Sequence, residues 1–152
     1  MDELAHCIED LENDYRRLDR LYNDFAKLHG ETYLSLATLE VLDACPEGVS
    51  QKQIGQEVFA SKQTVNSLMR SFEKRGLVEQ RASETDGRSR IHVLTEQGRL
   101  HAAHTVGALR AIDRKIAEQI GAEDLRRMHE LDVQYASEFE RTIHESRMEQ
   151  HG

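Results

Sequence analysis

Six residues between Lys62 and Lys74 carry chemistry that a plain helix surface does not need. Wound at the roughly 100° per residue of an α-helix, Lys62, Gln63, Asn66, Ser67, Arg70 and Lys74 share one arc. Val65, Leu68, Met69 and Phe72 take the opposite arc and suit a core. These six residues include no acid. Amides and hydroxyls exchange hydrogen bonds with base edges, and cations neutralise phosphates, so this mixture suits duplex nucleic acid. A merely solvated helix face usually mixes Glu or Asp among its cations.

Net charge alone argues the other way. The 152 residues include 20 Lys plus Arg and 28 Asp plus Glu, a formal charge of −8. The distribution reverses that reading. From Ser50 to Arg99 nine basic residues face six acids, a net of +3, which leaves −11 for the rest. A basic centre between acidic flanks presents one face to an anion while the ends stay solvated.

The elements that must hold this arc can be read from caps and breakers. Ser61 caps the helix and Gly76 stops it. Just before it, Ser50-Gln51-Lys52-Gln53 fits a capping box, and Ile54, Val58 and Phe59 are expected to form that short helix's buried side. Two helices joined this tightly predict a helix-turn-helix. Leu77–Gln80 and Ile91–Leu94 read as strands around an Asp86-Gly87 turn, so a hairpin, or wing, follows the second helix. Arg88 and Arg90 at its tip suit a narrow minor groove.

Thr95 then caps a helix whose apolar side is Val106, Leu109, Ile112, Ile116 and Ile120, broken by Gly121. A last helix from about Glu123 is expected to turn Leu125, Met128, Leu131, Tyr135, Phe139 and Ile143 inward. At the other end, Leu4, Ile8, Leu11, Tyr15, Leu18, Tyr22 and Phe25 repeat at alternating steps of four and three. That is a heptad seam, expected to pack on its own domain and on a second subunit, with Gly30 as its stop. A shorter helix follows, with Ser35 as expected N-cap, Leu36, Leu39 and Leu42 apolar, and a Cys45-Pro46-Glu47-Gly48 turn after it. The expected class is mainly α (α+β).

The segments Ser61-Lys62-Gln63-Thr64-Val65, Phe72-Glu73-Lys74-Arg75-Gly76-Leu77-Val78, Asp86-Gly87-Arg88 and Val93-Leu94-Thr95-Glu96-Gln97-Gly98 resemble the multiple-antibiotic-resistance regulator (MarR) family. The resemblance covers nearly the whole of residues 1–152, since the flanking helices stand in family order. It implies a winged helix-turn-helix lobe over residues 35–99 and dimerisation helices over 1–30 and 100–148. It implies a homodimeric transcription factor, most often a repressor, that leaves a pseudo-palindromic operator when an effector binds. Carried onto this chain, the DNA contacts are Ser50, Lys52, Ser61, Lys62, Gln63, Thr64, Asn66, Ser67, Arg70, Lys74, Arg88 and Arg90, with Asp86 bracing the wing. Two positions depart from the pattern. Gly87 stands where many members carry a further basic residue, and the turn Val58-Phe59-Ala60 lacks the glycine common in helix-turn-helix corners.

No Gly-x-Gly-x-x-Gly, phosphate loop, His-Glu-x-x-His or Gly-x-Ser-x-Gly is present, so no enzyme is expected and no cofactor is required. A pure coiled-coil protein would explain the first seam but neither the amide, hydroxyl and cation arc nor the hairpin. A small molecule bound near Tyr33 and Leu34 is the expected effector. The alternative is a metal- or oxidant-responsive regulator of the same fold. Its metal candidates are His29, Glu31, His101 and His104. Its redox candidate is Cys7, whose neighbours Glu9 and Asp10 oppose a thiolate. No apolar run reaches membrane-span length, and the acidic start Met1-Asp2-Glu3 does not read as a signal peptide, so a cytoplasmic protein is expected.

Overall fold

A computed structural model of the chain describes residues 2–82 and 90–149. The wing tip, with its Asp86-Gly87 turn and Arg88, lies outside the described residues. The elements run α1 (Glu3–Leu28), α2 (Tyr33–Ala44), α3 (Gln51–Glu57), α4 (Lys62–Lys74), β1 (Val78–Ala82), β2 (Arg90–Leu94), α5 (Glu96–Ile120) and α6 (Ala122–Glu149). The chain divides into two compact units, Met1–Ala108 and Leu109–Gly152, with α5 running from one into the next. No helix of the described residues is long and apolar enough to cross a membrane.

The first unit is a winged helix-turn-helix. β1 and β2 pair antiparallel from Val78↔Leu94 to Ala82↔Arg90. Val49 adds an isolated bridge to His92, which ties the loop before α3 to the hairpin. The core gathers Leu36, Leu39 and Leu42 from α2, Ile54 from α3, and Val65, Met69 and Phe72 from α4. Val78, Val93 and Leu94 of the hairpin and Ala102 and Val106 of α5 close it.

Local chemistry sets the boundaries. Ser50 and Gln53 form the expected capping box, and Ser61 Oγ accepts the Thr64 N–H at 3.2 Å. The end of α4 is a full Schellman motif: Gly76 N–H donates to Glu73 O and Leu77 N–H to Phe72 O, both at 2.9 Å. Gly76 has φ +71, which glycine adopts without a Cβ penalty. The motif ending in Leu-Thr-x-x-Gly then bolts α5 onto this corner. Thr95 Oγ1 donates to Gly76 O at 2.6 Å and accepts the Gly98 N–H at 3.0 Å. Gly98 itself presses on the backbone of Leu77, whose carbonyl oxygen would lie 1.8 Å from any added Cβ.

Four expectations are corrected. The N-cap of α2 is Thr32, and Ser35 is the reciprocal partner three residues on: Ser35 N–H donates to Thr32 Oγ1 at 3.1 Å, and Thr32 N–H to Ser35 Oγ at 2.8 Å. Phe59 is not buried but 96% exposed, with φ +52, because the cap that ends α3 needs a left-handed residue just there. Val58 is only half-buried. Finally, the apolar residues of α6 do not turn inward within this chain: Met128, Leu131, Tyr135, Phe139 and Ile143 are all exposed, as are Ile112, Ile116 and Ile120 of α5. Among the described residues no element covers them.

Candidate nucleic-acid interface

Backbone geometry and core packing together decide what α4 shows to solvent. Val65, Met69 and Phe72 are buried, and Leu68 is half-buried, so the helix cannot rotate without exposing them. Lys62, Gln63, Thr64, Ser67, Arg70 and Lys74 are therefore exposed, and Asn66 is half-buried. The one acid of α4, Glu73, falls by the 100° step within this arc, between Lys62 and Asn66, but is half-buried against the hairpin. Its carboxylate accepts from Gln80 Nε2 of the hairpin at 2.7 Å.

Several cations on α1, α5 and α6 are matched locally: Arg16 with Glu12, Lys27 with Asp24, Arg114 with Glu118, Arg127 with Glu130, and Arg141 with Glu138 and Glu145. Among the described residues, Lys62, Arg70 and Lys74 form no ion pair. Their charge meets water, and phosphate would not have to displace an acid. The α4 N-terminus adds its partial positive charge beside Lys62. Lys52 and Arg90 are also exposed. The hydroxyls of Ser50 and Ser61 are engaged as caps, so those residues shape the interface more than they extend it. Asp86 and Arg88 lie outside the described residues.

A polar lock that contains Glu31 and His101, two of the metal candidates, holds the far end of α4. Glu31 is buried, its side chain 1% exposed, and three elements converge on it. The Arg75 guanidinium, at the α4 C-cap, grips both carboxylate oxygens, with Nη1 donating to Oε2 at 3.2 Å. Ser35 Oγ donates to Oε2 at 2.6 Å, and His101 Nε2 of α5 donates to Oε1 at 2.6 Å. Burial opposes the charge on Glu31, but the hydrogen bonds from Arg75, Ser35 and His101 outweigh it and hold the carboxyl below its ordinary range. His29 and His104 meet separately, ring centroids 5.3 Å apart. Among the described residues no group of three or more His, Cys, Asp or Glu could hold a metal ion. The pairing of Glu31 with Arg75, 44 residues on, left no local signal in the sequence.

His92 of β2 lies against Glu73 of α4 and Gln51 of α3. It is 1% exposed; Gln51 Nε2 donates to its Nε2 at 3.2 Å, and its Nδ1 has no hydrogen-bond partner among the described residues. Burial pushes its pKa below 6.5, against a weaker pull from Glu73, 3.7 Å away. The unfolded chain therefore binds the proton more readily. Stability from this group is complete above pH 6.5 and declines as pH falls below it. Denaturant titrations between pH 7 and about pH 5 are expected to show this decline, and His92→Gln to flatten it. An unchanged slope in the variant would assign the decline elsewhere.

The geometry has counterparts. A family model described as "MarR family" matches residues 29–89. An HTH-type transcriptional repressor of Mycobacterium tuberculosis is 29% identical over 97 residues, 64% of this chain and 69% of its own length. The solved structure of a MarR family regulator from Neisseria meningitidis superposes with a TM-score of 0.79 at 25% identity, covering 96% of this chain and 99% of that one. The transcriptional repressor CouR, solved bound to a 23-mer DNA duplex, superposes with a TM-score of 0.69 at 25% identity, covering 90% and 96%.

Proposed function

We propose that the chain is a MarR-family winged-helix, DNA-binding transcriptional regulator that works as a homodimeric repressor released from a pseudo-palindromic operator by a small molecule. The observation that carries the DNA-reading part is the exposed face of α4, where Lys62, Arg70 and Lys74 are unmatched and the one acid, Glu73, is engaged by Gln80. In this reading α4 enters the major groove, with Lys62, Arg70 and Lys74 meeting phosphates or guanine edges and Gln63, Asn66 and Ser67 reading bases. Arg88 and Arg90 reach the minor groove and Asp86 braces the wing. The wing assignment rests on the family resemblance.

The test uses a duplex that the protein itself selects from a randomised pool. Lys62→Ala and Arg70→Ala are each expected to weaken binding by about 1–3 kcal/mol at fixed salt. Thermal stability should stay within about 0.5 kcal/mol, since both are exposed. Parental affinity in both variants would remove α4 as the reading surface.

Dimerisation is supported by the large apolar residues that one chain leaves in water: Leu4, Ile8, Tyr15 and Leu18 on α1, and Met128, Leu131, Tyr135 and Phe139 on α6. Sedimentation at micromolar concentration is expected to return twice the 17.5 kDa of the chain. A monomer at that concentration would refute the proposal and leave palindrome recognition without a basis. A ligand that disturbed Glu31 or Arg75 would act on the C-cap of α4, which gives effector release a physical route.

A further inference from the structure

We propose that Phe59 is an apolar contact of the DNA-reading face, its ring packing on the 5-methyl group of a thymine at the rim of the major groove. The inference rests on α4 being the helix that enters that groove.

Three observations converge on this residue. Phe59 is the one non-glycine residue with positive φ among the described residues, at +52°. It occupies the left-handed position of the cap that ends α3, where Ala60 N–H donates to Gly55 O at 3.0 Å. Glycine meets that demand without a Cβ clash, so phenylalanine makes the corner harder to form. The ring gains no burial in return, being 96% exposed. Folding of this chain therefore gives no reason for an aromatic here.

Position supplies one. Phe59 stands two residues before Ser61, which caps α4, and is continuous with the exposed Lys62 and Gln63. That end of α4 is the end that enters the groove first in this docking mode. Phe59 is also solitary: between residues 50 and 82 it is the only exposed large hydrophobic side chain. A protein partner would call for a contiguous apolar patch, and no other exposed large hydrophobic side chain stands between residues 50 and 82 to begin one. A single ring amid amides, hydroxyls and cations fits a surface that is mostly polar with isolated methyl groups. The major groove is such a surface, because thymine carries the one methyl group on its edges.

The experiment compares the parent, Phe59→Ala, Phe59→Gly and Lys62→Ala on the pool-selected duplex, and on the same duplex with uracil replacing thymine. Phe59→Ala and Phe59→Gly are expected to bind about tenfold more weakly at fixed salt. The salt dependence should stay parental, because an apolar contact releases no counterion, whereas Lys62→Ala flattens it. Uracil should weaken the parent but leave Phe59→Ala unchanged. Phe59→Gly should melt at a higher temperature than the parent, so its weaker binding cannot come from a damaged fold.

Parental affinity in both Phe59 variants, with Lys62→Ala weakened, overturns this inference and leaves the reading of α4 intact. An equal effect of uracil on parent and Phe59→Ala overturns it too. A change of sedimented mass without a change in DNA affinity assigns the ring to a second copy of the chain and overturns it. Parental affinity in Lys62→Ala as well removes the reading of α4, and this inference with it.

Discussion

Gly98→Ala is expected to destabilise the winged-helix unit by about 3 kcal/mol or more, at or beyond the upper end of ordinary overpacking. The added Cβ would sit 1.8 Å from the carbonyl oxygen of Leu77 and 2.8 Å from its carbonyl carbon. Neither atom can swing away as a side-chain tip can. The same oxygen accepts the Thr95 N–H at 3.0 Å, and Thr95 in turn holds the carbonyl of Gly76. Relief of the clash must therefore separate α5 from the corner where α4 meets the hairpin. Domains of this kind are stable by roughly 5–15 kcal/mol, so the loss is a large share. At about 2–4 °C per kcal/mol, the melting temperature should fall by roughly 10 °C. Gly107→Ala is the control on the same helix, because nothing lies within 4 Å of its added Cβ. It should gain up to about 1 kcal/mol from helix propensity. The two alanines should move the melting temperature in opposite directions. A Gly98→Ala protein that melts with the parent would show that the contact yields.

Removing either partner of the Glu31–Arg75 pair should be costly, and unequally so. Glu31 is 1% exposed in its side chain, while Arg75 keeps 37%. Arg75→Met strands a buried carboxylate, with only Ser35 and His101 left to it. Breaking a fully buried pair costs about 3–5 kcal/mol, and these remaining donors place the expected loss near 3 kcal/mol. Glu31→Gln leaves an Arg that can still reach water, so roughly 1–2 kcal/mol is expected. The pH dependence carries the sign. In the parent, Glu31 is held below its ordinary 4.5, so its stabilisation is present above pH 4.5 and is lost as pH falls through the lowered value. Without Arg75, burial dominates and drives the folded-state value upward. The deficit of Arg75→Met against the parent should then shrink as the solution is acidified from neutral to about pH 4.5. A deficit independent of pH would mean that Arg75 acts through its packing over Phe72, 5.5 Å from the ring centroid, and not through Glu31.

These two sites mark where sequence reasoning stopped. Helical spacing of the histidines and resemblance to metal-sensing relatives mark Glu31 and His101 as metal candidates. Their actual partner, Arg75, lies at the end of another helix, and a sequence pattern has no term for such a meeting. The glycine of Leu-Thr-x-x-Gly was recognisable as a motif, but not as a contact with Leu77. Phe59 was assigned to a core by hydrophobicity. The cap it completes overrode that preference, since backbone conformation at a helix end fixes where the side chain goes.

By itself, the sequence determined what nearest neighbours decide. Ser50, Ser61 and Thr95 start their helices because a side-chain oxygen two or three residues away is all an orphan N–H requires. Gly76 and Gly121 stop theirs. The alignment of Lys62, Asn66, Arg70 and Lys74 on one arc of α4 follows from a 3.6-residue period alone. Tertiary structure decided the rest: which end of α4 is tied to α2 and α5, which glycine admits a backbone, and which apolar seams one chain cannot cover. Those outcomes depend on atoms brought within about 4 Å from distant parts of the chain, and only the packed fold sets such distances.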